Sequence, residues 1–194
     1  MRGRTRALLV AGIVIGSIAV GCAKAQQEGA KLTTSTTTTT APPEDFVAEA
    51  GDFVRLQDMT PVREFFISNP AGHLKKALAV ANSESGGTYP VGTIIQLVPQ
   101  EAMVKRAPGF SPATKDWEFF ELETSADGTK IHKRGGAEVV NRFGGSCSDC
   151  HALAKPQFDF ICEDTNGCEP LPISDTVIAA IQKADPRPPT AEAG

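Results

Sequence analysis

Two β-rich runs joined by a tight turn constrain this chain more than any other feature. Trp117-Glu118-Phe119-Phe120-Glu121-Leu122 has strand composition, Asp127-Gly128 is a strong turn dipeptide, and residues 129–133 return as the partner strand. So short a connection joins antiparallel neighbours, because a parallel crossover needs a dozen residues or more. Upstream, Thr93-Ile94-Ile95-Gln96-Leu97-Val98 is also β-rich, and Pro99-Gln100 can turn it into residues 102–106. Residues 60–68, with Val62, Phe65, Phe66 and Ile67, read as a strand or a buried connector. The centre of the chain is therefore expected to be a small antiparallel sheet.

Helical periodicity flanks that centre. Phe46, Val47, Ala50, Phe53 and Val54 follow helical spacing, although Gly51 weakens it. Asn69-Pro70 has the form of an N-cap followed by proline at the first helical position. Leu74, Ala77, Leu78 and Ala81 then mark the buried face of a helix expected to stop near Gly86-Gly87. Residues 175–184 place Val177, Ile178 and Ile181 on one helical face, with Ser174 as cap. The predicted class is α+β, a small antiparallel sheet with helices toward both ends.

The first residues do not belong to that domain. Arg2, Arg4 and Arg6 precede an apolar run from Ala7 to Val20, shorter than the roughly 20 residues that span a bilayer. Residues 1–21 read as an export signal. Ala19-Val20-Gly21-Cys22 resembles a bacterial lipoprotein box, with Cys22 as the lipidated residue, and Ala23-Lys24-Ala25 is the competing cleavage site. Residues 22–43 are polar and threonine-rich and read as a tether, of on the order of 25 Å. The expected location is the bacterial cell envelope, facing the periplasm and held to the membrane by lipid. The folded domain is expected over 44–185, and the proline-rich 186–194 as a disordered tail. Removing residues 1–21 takes away three arginines and no acid, moving the formal charge from -4 to -7. An acidic domain without a basic stripe excludes nucleic acid as the expected partner.

Apart from Cys22, the cysteines are Cys147, Cys150, Cys162 and Cys168, all near the C-terminal end. Cys162-Glu163-Asp164-Thr165-Asn166-Gly167-Cys168 encloses a short turn, and a disulfide is expected across it in an oxidising compartment. Cys147-Ser148-Asp149-Cys150-His151 is a CxxCH motif. Its two thiols are spaced to add across the two vinyl groups of one haem, and the following histidine is placed to become an axial iron ligand. Three other readings compete from the residues alone. One is a thioredoxin-like dithiol, which would need CxxC after a strand in a βαβ unit that the surroundings do not provide. One is a zinc site using Cys147 and Cys150 with Cys162 and Cys168, and the last is a structural disulfide across the motif.

Pro90-Val91-Gly92-Thr93-Ile94-Ile95, Ala102-Met103-Val104-Lys105-Arg106, Trp117-Glu118-Phe119-Phe120, the CxxCH motif and Phe158-Asp159-Phe160 stand in a particular order. That order resembles the cytochrome P460 and cytochrome c′-beta family over about residues 89–161. The resemblance implies a mostly β-sheet domain carrying one haem c, often as a homodimer. It implies that Cys147 and Cys150 attach the haem, that His151 binds its iron, and that the distal side is open or apolar. It further implies nitric oxide binding, or hydroxylamine oxidation where a lysine is cross-linked to the haem. Lys75, Lys76 and Lys105 are the candidates for such a cross-link.

His73, His132 and Met103 are candidates for a sixth iron ligand, and Met59 is a weaker one. Each also has an ordinary reading as a surface or core side chain. A filled sixth position would suit an electron carrier working with a redox partner protein. An open one would suit a small ligand at the iron, with enzymatic activity an undecided extension. From another class comes a structural or interaction lipoprotein in which CxxCH holds zinc or a disulfide.

Overall fold

The computed structural model describes residues 42–141 and 144–190. The expected export signal, Cys22, most of the tether and residues 191–194 lie outside the described residues. Among the described residues no helix is long and apolar enough to cross a membrane.

The sheet has six antiparallel strands in sequence order, a meander with each strand beside its chain neighbour. They are β1 (Thr60–Val62), β2 (Phe65–Ser68), β3 (Ile94–Gln96), β4 (Glu101–Lys105), β5 (Trp117–Ser125) and β6 (Gly128–Gly135). The Asp127-Gly128 expectation is met: Ser125 pairs with Gly128, and Gly128 adopts a φ of 113° that a side chain would resist. Residues 60–68 form a hairpin rather than a single strand, because Arg63 turns the chain at a φ of 50°. Helix α1 (Leu74–Ala81) separates β2 from β3. Helices α2 (Cys147–His151) and α3 (Asp175–Lys183) follow the sheet. The observed class is α+β.

Strand alternation divides the core between the two sheet faces. One face carries Phe65, Ile67, Ile95, Met103, Trp117 and Phe119, covered by Ala77 and Ala81 of α1 and by Val139, Phe160 and Ile161. The other carries Ile94, Ala102, Val104, Phe120 and Leu122, covered by Ala48, Phe53, Leu56 and Met59. On this second face the buried Glu118 bridges Arg106 and Arg134, and Arg106 also pairs with Asp45.

Four expectations need correction. Residues 46–54 form no α-helix, only a 3-10 turn at Ala50–Asp52, because Gly51 interrupts their helical spacing. Helix α1 ends at Ala81, short of Gly86-Gly87, where the Asn82 side-chain amide donates to the Leu78 carbonyl at 2.8 Å and closes the last turn. Gly86 serves a different purpose: a Cβ there would lie 2.1 Å from the Gln157 carbonyl oxygen, so only glycine permits that approach. In α3, Ile178 is buried but Val177 is exposed, and Ser174 occupies the cap position without a side-chain cap bond. Finally, residues 186–190, expected to be disordered, are docked. Arg187 is buried and donates to the Phe53 carbonyl at 2.9 Å, and Thr190 N–H donates to Asp58 at 2.7 Å.

Candidate functional site

Helix α2 is a single short helix built around the CxxCH motif. Ser146 caps it, its hydroxyl oxygen accepting the Asp149 N–H at 3.2 Å. Val140 bridges to Ser146, and the Cys147 N–H donates to the Val139 carbonyl at 3.1 Å. Val139 is fully buried against the sheet, so this pairing fixes where the helix begins. Cys147, Cys150 and His151 stand at positions i, i+3 and i+4 and share one stripe of α2. Cys147 packs against the first core face. The His151 ring lies 5.2 Å from the Phe119 ring of β5, centroid to centroid.

A hydrogen bond sets the orientation of the His151 ring beside Phe119. Its Nδ1–H donates to the Phe160 carbonyl oxygen at 2.8 Å. A carbonyl only accepts, so the proton sits on Nδ1 and Nε2 presents a lone pair. Burial holds the imidazole below its ordinary pKa, with the Phe160 bond opposing, so the ring is a neutral donor at neutral pH. This is the arrangement by which a ligating histidine is held: one nitrogen bound to a backbone oxygen, the other left for a metal.

Cys147 and Cys150 are both free thiols, whereas Cys162 and Cys168 form the expected disulfide. That bond closes a loop around the 3-10 turn Asp164–Asn166 and adds on the order of 2–3 kcal/mol. The bond places the Cys162 sulfur 3.1 Å from the Cys150 carbonyl oxygen at the end of α2. The disulfide consumes two of the four thiolates that a tetracysteine zinc site needs. Among the described residues, no group of three or more His, Cys, Asp or Glu side chains is placed to hold a metal ion.

The two free thiols differ. Burial pushes the Cys147 thiol up to about 11, with the Glu101 charge adding to the effect. Cys150 is exposed. At pH 8 only about one Cys147 in a thousand is a thiolate. Iodoacetamide is therefore expected to label Cys150 of the chain with both thiols free at least about tenfold faster than Cys147. Peptide mapping over time measures the ratio, and equal rates would contradict this environment.

The other candidate residues scatter. His73 is exposed at the start of α1, and His132 on β6 is exposed and faces Glu123 at 3.2 Å. Met103 is buried on β4, paired across the sheet with Phe119, and Met59 is buried on the opposite face. Lys75 and Lys76 are exposed on α1. The Lys105 ammonium is buried in an ion pair with Asp159 at 2.8 Å and donates to the Lys115 carbonyl at 2.6 Å. Asp159 and Phe160, which entered the sequence reading only through the resemblance and without a role, hold positive φ values of 51° and 72°. The available signal was an aspartate, a residue enriched in that conformation, between two aromatics.

No family model, curated protein or solved structure matches this chain.

Proposed function

We propose that the chain is an exported c-type cytochrome with one haem, its thioethers formed by Cys147 and Cys150 and its iron held by His151. The observation that carries this reading is the state of α2. It presents two free thiols at the haem-attachment spacing, followed by an imidazole whose Nδ1 is tied to a backbone carbonyl and whose Nε2 is left for a ligand. The donor set suits the group: soft sulfur nucleophiles for covalent attachment and a neutral imidazole for iron. When bound, the haem supplies one-electron chemistry and, where a coordination position is open, a site for a small ligand. The chain's own part is to orient His151 through Phe160, to pack Phe119 against the imidazole, and to shield Cys147 with the sheet's first apolar face.

The finer readings follow from the resemblance. A six-stranded antiparallel sheet with short helices is compatible with a P460-like domain, which we take as the fold. The iron then serves electron transfer to a redox partner protein, or redox chemistry on a small ligand of the nitric oxide or hydroxylamine type. The domain is tethered to the envelope membrane through lipidated Cys22 and the threonine-rich segment, and the family's frequent homodimer is a further element of the proposal. The competing class, a structural lipoprotein using CxxCH for zinc or a disulfide, is disfavoured by the Cys162–Cys168 bond and the free thiols of α2.

The test is export together with a c-type haem maturation system, followed by denaturation and a pyridine haemochrome assay. The expected result is one covalently retained haem per chain, lost when Cys147→Ser is combined with Cys150→Ser. A colourless protein that binds one zinc ion would overturn the reading.

A further inference from the structure

The turn that faces His151 is held in an unfavourable conformation. Asp159 and Phe160 are consecutive non-glycine residues with φ values of 51° and 72°. Such a residue is strained and persists only where its surroundings fix it. The surroundings here are specific. Three oxygens of Asp159 are each taken by a different segment. Its Oδ1 accepts from Lys105 Nζ of β4 at 2.8 Å, its Oδ2 from the Tyr89 N–H at 2.8 Å, and its backbone carbonyl from Trp117 Nε1–H of β5 at 2.6 Å. Lys105 also lies 5.1 Å from the centre of the Trp117 ring, and the Lys105 and Asp159 side chains are 6% and 7% exposed. The next carbonyl along the chain, that of Phe160, is the one that accepts His151 Nδ1–H.

We infer that Lys105, Trp117 and Asp159 form a clamp that positions the Phe160 carbonyl and, through it, sets the donor strength of His151 toward iron. This rests on the haem reading above. A buried ion pair of this kind is a weak source of stability, since two charges lose their water, so its presence calls for another use. The clamp supplies one. A firm Nδ1–H bond makes the imidazole a stronger base at Nε2 and favours oxidised iron, and a slack one does the reverse. Lys105, Trp117 and Asp159 are positioning residues, each acting on the ligand only through Phe160.

The experiment compares the haem-loaded protein with Asp159→Asn and Trp117→Phe. Glu118→Gln is the control, because Glu118 is an equally buried ion-pair partner on the opposite face. Resonance Raman of the ferrous form reads the iron–histidine stretch, and a redox titration reads the potential. The expected result is a stretch shifted to lower frequency and a higher potential in both clamp variants, with neither changed in Glu118→Gln. Unchanged values in the clamp variants, or an equal shift in the control, would overturn the inference. A second readout keeps it testable if a clamp variant fails to fold around haem. Nitrogen NMR of the haem-free chain should show His151 protonated at Nδ1, and a mixture of tautomers in Asp159→Asn. Absence of covalent haem from the unmodified chain would overturn the haem reading instead, leaving the tautomer comparison to judge the clamp alone.

Discussion

Replacing Arg187 by methionine is expected to lower stability by about 3–5 kcal/mol, because it strands a buried carboxylate. Asp185 and Arg187 have side chains 0% and 1% exposed and pair at 2.6 Å. The guanidinium also donates to the Phe53 carbonyl at 2.9 Å and to Gln96 Oε1 at 3.3 Å, while Asp185 accepts the Leu56 N–H at 2.9 Å. These bonds tie the last described residues to β3 and to the segment covering the second sheet face. Burial alone would raise the Asp185 carboxyl, but Arg187 and the Leu56 N–H outweigh it and hold it below the usual carboxylate range. The sign follows. A depressed folded pKa contributes stability that is present above the unfolded value of about 4 and is lost as pH falls through the folded one. Without Arg187 the burial remains and the folded pKa rises, so the variant is penalised most where the carboxylate must ionise. The stability gap is therefore expected to be full at pH 7 and to narrow below about pH 4. Urea titrations at both pH values measure it. A midpoint unchanged at pH 7 would mean that the C-terminal segment is dispensable.

The same pair shows where sequence reading stops. The strands were legible because β-branched and aromatic runs alternate around turn residues, and the Asp127-Gly128 hairpin needed no tertiary information. The CxxCH triad was legible because its chemistry lies in local spacing. Arg187 was not, since proline content forecasts a chain that cannot continue a helix but says nothing of a guanidinium reaching Phe53, 134 residues away. The burial of Lys105 was not legible for a similar reason, since the Asp159 that pairs with it lies 54 residues away in sequence. Residues 46–54 failed differently: Phe53 is buried at 2% exposure, but Val47 on the same predicted face is 51% exposed, so the segment is an irregular cover over the sheet. Its conformation was decided by Gly51 and by the surface available for packing.

On the haem reading proposed above, the loaded ferrous protein is expected to be high-spin and to change its spectrum on adding carbon monoxide. The protein offers His151 as one ligand through Nε2, and its other candidates are otherwise engaged. His73 and His132 are exposed, so recruiting either would require a surface side chain to close over the iron. Met103 is 4% exposed, packed in the core beside Phe119, and moving it out would leave a cavity costing about 2–5 kcal/mol. Met59 lies on the opposite face of the sheet from Cys147. Substituting His73→Ala, His132→Ala or Met103→Leu is therefore expected to leave the ferrous spectrum and the carbon monoxide shift unchanged. His151→Ala should instead keep both thioethers, so haem stays on the denatured chain, while the spectrum loses the signature of an imidazole ligand. A low-spin ferrous spectrum insensitive to carbon monoxide, and converted to high-spin by one of the three substitutions, would identify a sixth ligand. It would assign the protein to electron transfer rather than to small-ligand chemistry, because a filled coordination shell moves electrons with little rearrangement but gives a small molecule no place to bind.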